Sequence, residues 1–313
     1  MPERQGAPAA QALPFGARLQ DAVAAHGPIL AGIDPHAALL EAWGLPDSPE
    51  GLRRFSLTAL DAVAGQVCGI KPQSAFFERH GSAGVAVLEE LLAQAKEREV
   101  LTVLDVKRGD IGSTMEAYAQ AHLRPGAAGE ADAITVSPYL GTRSLEPAVQ
   151  LALEHGKGLF VLALTSNPGA PQVQHARTAA DRTIGQEVAR HAAEADPGAP
   201  GRWSSIGLVV GATVGTAYRD LGLEQEAPRA PLLAPGFGAQ GAGPAQLDEV
   251  FGQAAERVLV SLSRGLLAAG PEPAQLAARA HSLRVQYSPP HVGHSADPGA
   301  EPGAETGGIA SSR

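Results

Sequence analysis

The stretch Val100-Leu101-Thr102-Val103-Leu104-Asp105-Val106-Lys107-Arg108-Gly109-Asp110-Ile111-Gly112-Ser113-Thr114 changes character at its middle. Up to Leu104 it is apolar and branched, as a short buried strand is. Four charged residues then fall between Asp105 and Asp110, followed by a Gly-Ser-Thr turn. Side chains alternate along a strand, so Asp105 and Lys107 point the same way, out of its end. Burying either charge costs several kcal/mol, as an order of magnitude, unless it is paired. A lone Asp-x-Lys reads as a structural ion pair. Here Asp110 adds a second carboxylate, and seven similar segments surround the stretch.

Apolar runs at 28–33, 67–70, 100–104, 131–136, 158–164, 206–210, 232–234 and 257–262 predict eight strands. Helical periodicity fills the gaps between most of them. Alternation of this kind points to a (β/α)8 TIM barrel, which fits in about 250 residues as a single domain. The competing architecture is a doubly wound open sheet. The barrel is favoured because nearly every strand ends in unusual residues, which closure gathers at one mouth.

Helices are expected over 15–26, 49–63, 82–99, 144–155, 178–194 and 273–283. Asp47 and Glu50 read as a capping-box pair around Pro49. Ile111, Met115, Tyr118 and His122 read as one face of a short helix. Residues 1–12 read as a mobile N-terminal tail, 13–284 as the barrel, and 285–313, without periodicity, as a disordered C-terminal tail.

The formal charge of −9 argues against a nucleic-acid or anionic-membrane partner. A site for an anion must then be made locally positive against the net field. The single cysteine, Cys68, excludes an intrachain disulfide and fits a reducing cytoplasm. No signal peptide is evident, and no apolar run approaches a membrane span.

At the expected mouth stand Asp34, Lys71, Asp105, Lys107, Ser137, Ser166, Gln240 and Arg264, with Asp110 and Thr114 just past the third strand. Alternating signs let each charge be paired and stay ionised in a partly dry site. Gly236-Phe237-Gly238-Ala239-Gln240-Gly241 is a glycine-rich loop whose N–H groups can approach an anion. Phosphate sites recur after strands seven and eight of such barrels, and Arg264 supplies a guanidinium fork there. The loop lacks the glycine spacing of a dinucleotide fingerprint. No metal-ligand set is evident, and two lysines would repel a divalent cation. No nucleophile elbow is present, and Cys68 reads as a small strand hydrophobe.

At these residues the chain resembles the orotidine 5′-phosphate decarboxylase family. The core of the resemblance is Asp105-Val106-Lys107-Arg108-Gly109-Asp110-Ile111-Gly112-Ser113-Thr114, the family's Asp-x-Lys-x-x-Asp motif followed by Ile-Gly-x-Thr. Flanking blocks agree: Gly32-Ile33-Asp34-Pro35, Ile70-Lys71-Pro72-Gln73, Thr165-Ser166-Asn167-Pro168-Gly169, the 234–241 loop and Ser261-Leu262-Ser263-Arg264-Gly265. Asp-Pro-His after strand one, Phe-Phe-Glu after strand two and Ser-Pro-Tyr after strand four resemble the longer bacterial subgroup (type 2).

The resemblance implies decarboxylation of orotidine 5′-phosphate to UMP without a cofactor, by a cytoplasmic homodimer with shared sites. It implies a charged network of Lys71, Asp105, Lys107 and Asp110, with Lys107 as proton donor. Asp34 and Thr114 would bind ribose hydroxyls, and Ser166 the pyrimidine edge. Gln240 and Arg264 would hold the phosphate, with Gly238 and Gly265 beside them. Asp110 and Thr114 would serve the neighbouring subunit's site. Two other readings compete. One is an Mg2+-dependent sugar-phosphate decarboxylase or aldolase of the same superfamily, which places an acidic ligand where this chain has Lys71. The other is a phosphate-ligand binding protein that has lost catalysis.

Overall fold

The computed structural model describes residues 13–238 and 241–288. The expected tail over 1–12, the expected tail from 289 onward and Gln240 lie outside the described residues. Eight parallel strands wrap into a barrel: β1 (Ile29–Ile33), β2 (Gly69–Pro72), β3 (Val103–Arg108), β4 (Ala133–Val136), β5 (Gly158–Leu164), β6 (Ile206–Val210), β7 (Leu232–Pro235) and β8 (Val258–Leu262). Hydrogen bonding runs β2-β1-β8-β7-β6-β5-β4-β3. The circle closes between β2 and β3 through two isolated parallel bridges, Ile70↔Thr102 and Gln73↔Asp105. The open doubly wound sheet is thereby excluded.

Inside the barrel, Leu30, Val103, Ala133, Phe160, Val209, Leu233 and Leu259 pack with Phe15 and Leu19 of the N-terminal helix, Phe15–His26. Phe15 meets Phe160 edge-on, with ring centroids 6.1 Å apart. Gly158 makes room for it, since a Cβ there would lie 2.1 Å from the Phe15 ring. Arg18 fastens the same helix to the barrel floor, reaching Asp132 Oδ1 at 2.7 Å and the Gly156 carbonyl at 3.0 Å. The floor is therefore plugged, and the strand C-termini are left as the open end.

Outer faces of the strands pack against helices. Leu52, Phe55, Ala59, Leu60 and Val63 are buried on the Pro49–Val63 helix, as the periodicity predicts. Its N-cap is Ser48, whose side chain accepts from the Gly51 N–H at 3.3 Å. Asp47, expected as the cap, instead forms an ion pair with Arg79. The expected 178–194 helix begins later, as Ile184–Ala195, because Thr183 and Gln186 form the capping box. The final helix runs to Tyr287, past the expected tail boundary at 285. On the Gly112–Leu123 helix, Met115, Ala119 and Leu123 form the buried stripe, while Ile111 and Tyr118 are exposed.

The central correction concerns β3. It does not stop at Leu104 but continues to Arg108, so Asp105 and Lys107 lie within the strand. Opposite β4, Leu104 pairs with Ile134 and Arg108 with Val136. Four steps on β3 thus match two on β4, and the wall bulges at the charged residues. Similarly, β2 carries on through Lys71 to Pro72.

Candidate active site

Alternation on the strands builds the site. Inward residues of β3 are Val103, Asp105 and Lys107 in succession; the first belongs to the core, and the next two rise into the mouth. Lys71 on β2, Thr135 on β4 and Ser261 on β8 stand around them. Together with Asp34, His36, Gln73, Phe237, Ser263, Arg264 and others they line a cavity of about 330 Å3. A larger cavity, about 540 Å3, lies away from this constellation between the N-terminal helix, the 244–256 segment and the last helix.

Asp105 is the hub. Its Oδ1 accepts from Lys107 Nζ at 2.6 Å and from Thr135 Oγ1 at 2.7 Å. Its Oδ2 accepts from Gln73 Nε2 at 2.9 Å and from Lys71 Nζ at 3.4 Å. A carboxylate offers about four lone-pair sites, so its capacity is filled. Lys71 Nζ also lies 3.8 Å from Asp34 Oδ1, an oxygen that is buried without a hydrogen-bond partner. The Lys107 side chain is 45% exposed, whereas those of Lys71 and Asp105 are 8% and 10% exposed. Both ammoniums line the cavity, and Lys107 is the more open to a ligand in the mouth.

The charges hold one another ionised. Burial works against the ammonium of Lys71, but Asp34 and Asp105 outweigh it and raise its pKa above the ordinary value. Burial also pushes Asp105 up, yet Lys71, Lys107 and the Lys107 and Thr135 hydrogen bonds outweigh it and hold its pKa below the usual carboxylate range. Both groups are charged at neutral pH, as the alternating signs predict. Cys68 is buried, donates to the Ile29 carbonyl at 3.1 Å and has its thiol pushed up by burial to about 12. It is a packing residue as expected, although it lies one residue before β2 rather than within the strand.

On the opposite rim, Gly236 and Gly238 adopt φ of 113° and 70°, values that a side chain would strain. Phe237 between them is buried, its ring 5.5 Å from that of Tyr287. Its side chain thus anchors the loop to the last helix. Arg264 is exposed at the start of the segment after β8 and has no ion pair among the described residues. Ser263 Oγ beside it is buried without a partner.

The sequence model of the orotidine 5′-phosphate decarboxylase / HUMPS family matches residues 27–280. The chain belongs to this family. A Streptomyces coelicolor orotidine 5′-phosphate decarboxylase is 52% identical over 275 residues, covering 87% of this chain and 96% of its own. One from Salinispora arenicola is 53% identical over 266 residues, covering 85% and 94%. Among solved structures, a candidate orotidine 5′-phosphate decarboxylase from Streptomyces avermitilis superposes with a TM-score of 0.84 at 49% identity. That superposition covers 92% of this chain and 98% of the other.

Of the residues assigned from the family motif, Asp34, Lys71, Asp105, Lys107 and Arg264 line the one cavity. Others do not. Asp110 caps its own turn, accepting from the Ile111 N–H at 2.8 Å, and Thr114 is exposed on the helix that follows. Ser166 is exposed past β5, close to Gly211 at the end of β6. Gly238 and Gly265 lie beside the cavity rather than in its lining, and Gln240 is outside the described residues. Ser137 is not in the lining; its N–H donates to the Arg108 carbonyl at 2.7 Å. Among the described residues, no group of three or more His, Cys, Asp or Glu is gathered so as to hold a metal ion.

Gln73, Thr135, Ser261, Ser263 and His36 line the cavity without having been assigned a role from sequence. Gln73 carried a signal, standing two residues after Lys71 on the same strand face. Thr135 carried a weaker one, as a polar residue inside the apolar run of β4. His36 packs against Phe76 with its ring tilted by 57° and centroids 4.1 Å apart.

Proposed function

We propose that this chain decarboxylates orotidine 5′-phosphate to UMP, the last step of UMP synthesis, without a cofactor and as a homodimer with shared sites. Membership of the family supports the reaction. The observation that carries it is one saturated carboxylate, Asp105, held between two cavity-lining ammoniums of which Lys107 is the more exposed.

Breaking the C6–carboxylate bond releases CO2 and leaves the electron pair on C6, in the ring plane, where the ring π-system cannot spread it. Stabilisation must then be electrostatic. The Lys107 ammonium beside C6 opposes that charge and gives C6 its proton, becoming an amine that solvent reprotonates. Asp105 and Lys71 hold Lys107 in place. The four donors on Asp105 leave no site for a hydrogen bond from substrate, so the leaving carboxylate would meet a fixed negative group. Asp34, with an unpartnered oxygen, suits a ribose hydroxyl. Arg264, Gly238 and Gly265 would hold the phosphate on the far rim, Gln240 would join them as the family resemblance implies, and Ser166 would close on the pyrimidine edge. Phosphate binding energy could be used to bring the loops after β5 and β7 over the mouth.

The shared site rests on Asp110 and Thr114, which do not line their own cavity, and on the exposed Ile111 and Tyr118 of the same segment. Exposed apolar side chains there suit contact with a second copy. Among the described residues no helix is long and apolar enough to cross a membrane. With a single buried cysteine, we place the enzyme in the cytoplasm.

The fall in absorbance as orotidine 5′-phosphate becomes UMP, followed with a chelator present, tests the reading. Turnover that survives the chelator is expected. Turnover strictly dependent on added Mg2+ would favour the sugar-phosphate branch of the superfamily, and no turnover at all would leave a binding protein.

A further inference from the structure

Thr135 is buried on β4, facing the bulge in β3. Its Oγ1 accepts from the N–H of Lys107 at 2.9 Å and donates to Asp105 Oδ1 at 2.7 Å. A hydroxyl has one proton, so giving it to the carboxylate leaves the lone pairs for the Lys107 N–H. The direction of both bonds is thereby fixed. Lys107 adopts φ of 45°, a left-handed backbone unusual for a residue with a side chain. A conformation of that kind persists only where its surroundings hold it. The Thr135 hydroxyl is such a hold.

We propose that Thr135 is a positioning residue for the decarboxylation: one hydroxyl fixes both the backbone turn that aims Lys107 and the rotamer of Asp105. The two groups are two residues apart on a bulged strand, where register alone does not set their separation. Lys71 and Gln73 hold the other carboxylate oxygen. Without Thr135, Asp105 could turn about that anchored oxygen, and the Lys107 ammonium would follow it.

The proposal rests on the decarboxylase reading, and the unsubstituted enzyme is its control. If that enzyme shows no turnover, the reading fails; if it turns over, the variants decide Thr135 alone. Thr135→Val keeps the shape and removes the hydroxyl. Its kcat is expected to fall roughly 100-fold, the scale of a misplacement near 1 Å, with KM changed by less than about threefold. The acid limb of its kcat/KM profile should move to higher pH, because a donor that lowers the Asp105 pKa is gone. Thr135→Ser should restore most of kcat and the original limb. Thr135→Ser against Thr135→Ala, both lacking the methyl, isolates the hydroxyl if Thr135→Val does not fold. A hydroxyl-free variant with near-native kcat and an unmoved acid limb would overturn the proposal. So would Thr135→Ser falling as far as Thr135→Ala, or a loss carried by KM alone.

Discussion

The ammonium of Lys107 lies 2.6 Å from the Oδ1 of Asp105, two residues earlier on the same strand. Alternation along the bulged β3 puts both on the inner wall, with Lys107 the more exposed of the two. Lys107→Ala should abolish orotidine 5′-phosphate turnover while binding of UMP stays measurable by calorimetry. Asp105 keeps Lys71, Gln73 and Thr135 as partners, so the variant should fold. Native-like turnover would remove Lys107 from the role of proton donor.

Asp110 and Thr114 open a second test. Neither lines its own cavity, and Ile111 and Tyr118 of the same segment are exposed. Asp110→Ala and Lys107→Ala proteins should each be nearly inactive. Mixed under conditions where subunits exchange, they should regain activity, because a hybrid dimer contains one site with both residues intact. Demonstrated exchange with no recovery would show that Asp110 does not act across an interface.

At the barrel floor, Phe15 is fully buried against Phe160 and Gly158. Phe15→Ala should cost about 3–5 kcal/mol of stability by urea denaturation, the range for a buried phenylalanine. Since the floor is opposite the catalytic mouth, kcat at 25 °C should be unchanged in the folded fraction. A large fall in kcat with intact folding would mean that the floor controls the site.

Glu130 contributes to stability on the acid side. Burial raises its pKa, but hydrogen bonds from Lys157, Lys96 and the Gly126 N–H outweigh this and bring it to about 2. A carboxyl lowered on folding stabilises the protein above its unfolded pKa, near 4.3. That contribution is lost as pH falls through the folded value. Thermal melting should therefore decline between roughly pH 4.5 and 2, and Glu130→Gln should flatten part of that decline. An unchanged slope in Glu130→Gln would assign the acid sensitivity to other carboxylates.

Much of the fold was legible because apolar runs and helical periodicity alternate from Phe15 to the last helix. Site residues were legible where charge interrupts an apolar strand, as at Lys71, Asp105 and Lys107. What escaped depends on geometry that spacing does not carry. The continuation of β3 through its charges became visible only with β4 beside it, since a bulge is a relation between two strands. Thr135 and Gln73 escaped for a similar reason: neutral residues acquire a role from the carboxylate they meet. Asp47 looked like a cap by its distance from Glu50, but Ser48 is nearer the helix start, and Arg79 draws Asp47 away.

The seam between β2 and β3 has a consequence in amide hydrogen exchange. Among the described residues, those strands are joined by two isolated bridges, with the Ser74 N–H donating to the Asp105 carbonyl at 3.2 Å. The wall is thus thinly laced where Asp105 sits. The Ser74 amide should exchange faster than amides of β5 and β6, whose ladder is longer. A nucleotide filling the mouth would bridge Lys71 and Lys107 across the seam and slow that exchange. Deuterium uptake at Ser74 would then serve as a clock for site occupancy, readable without following the reaction.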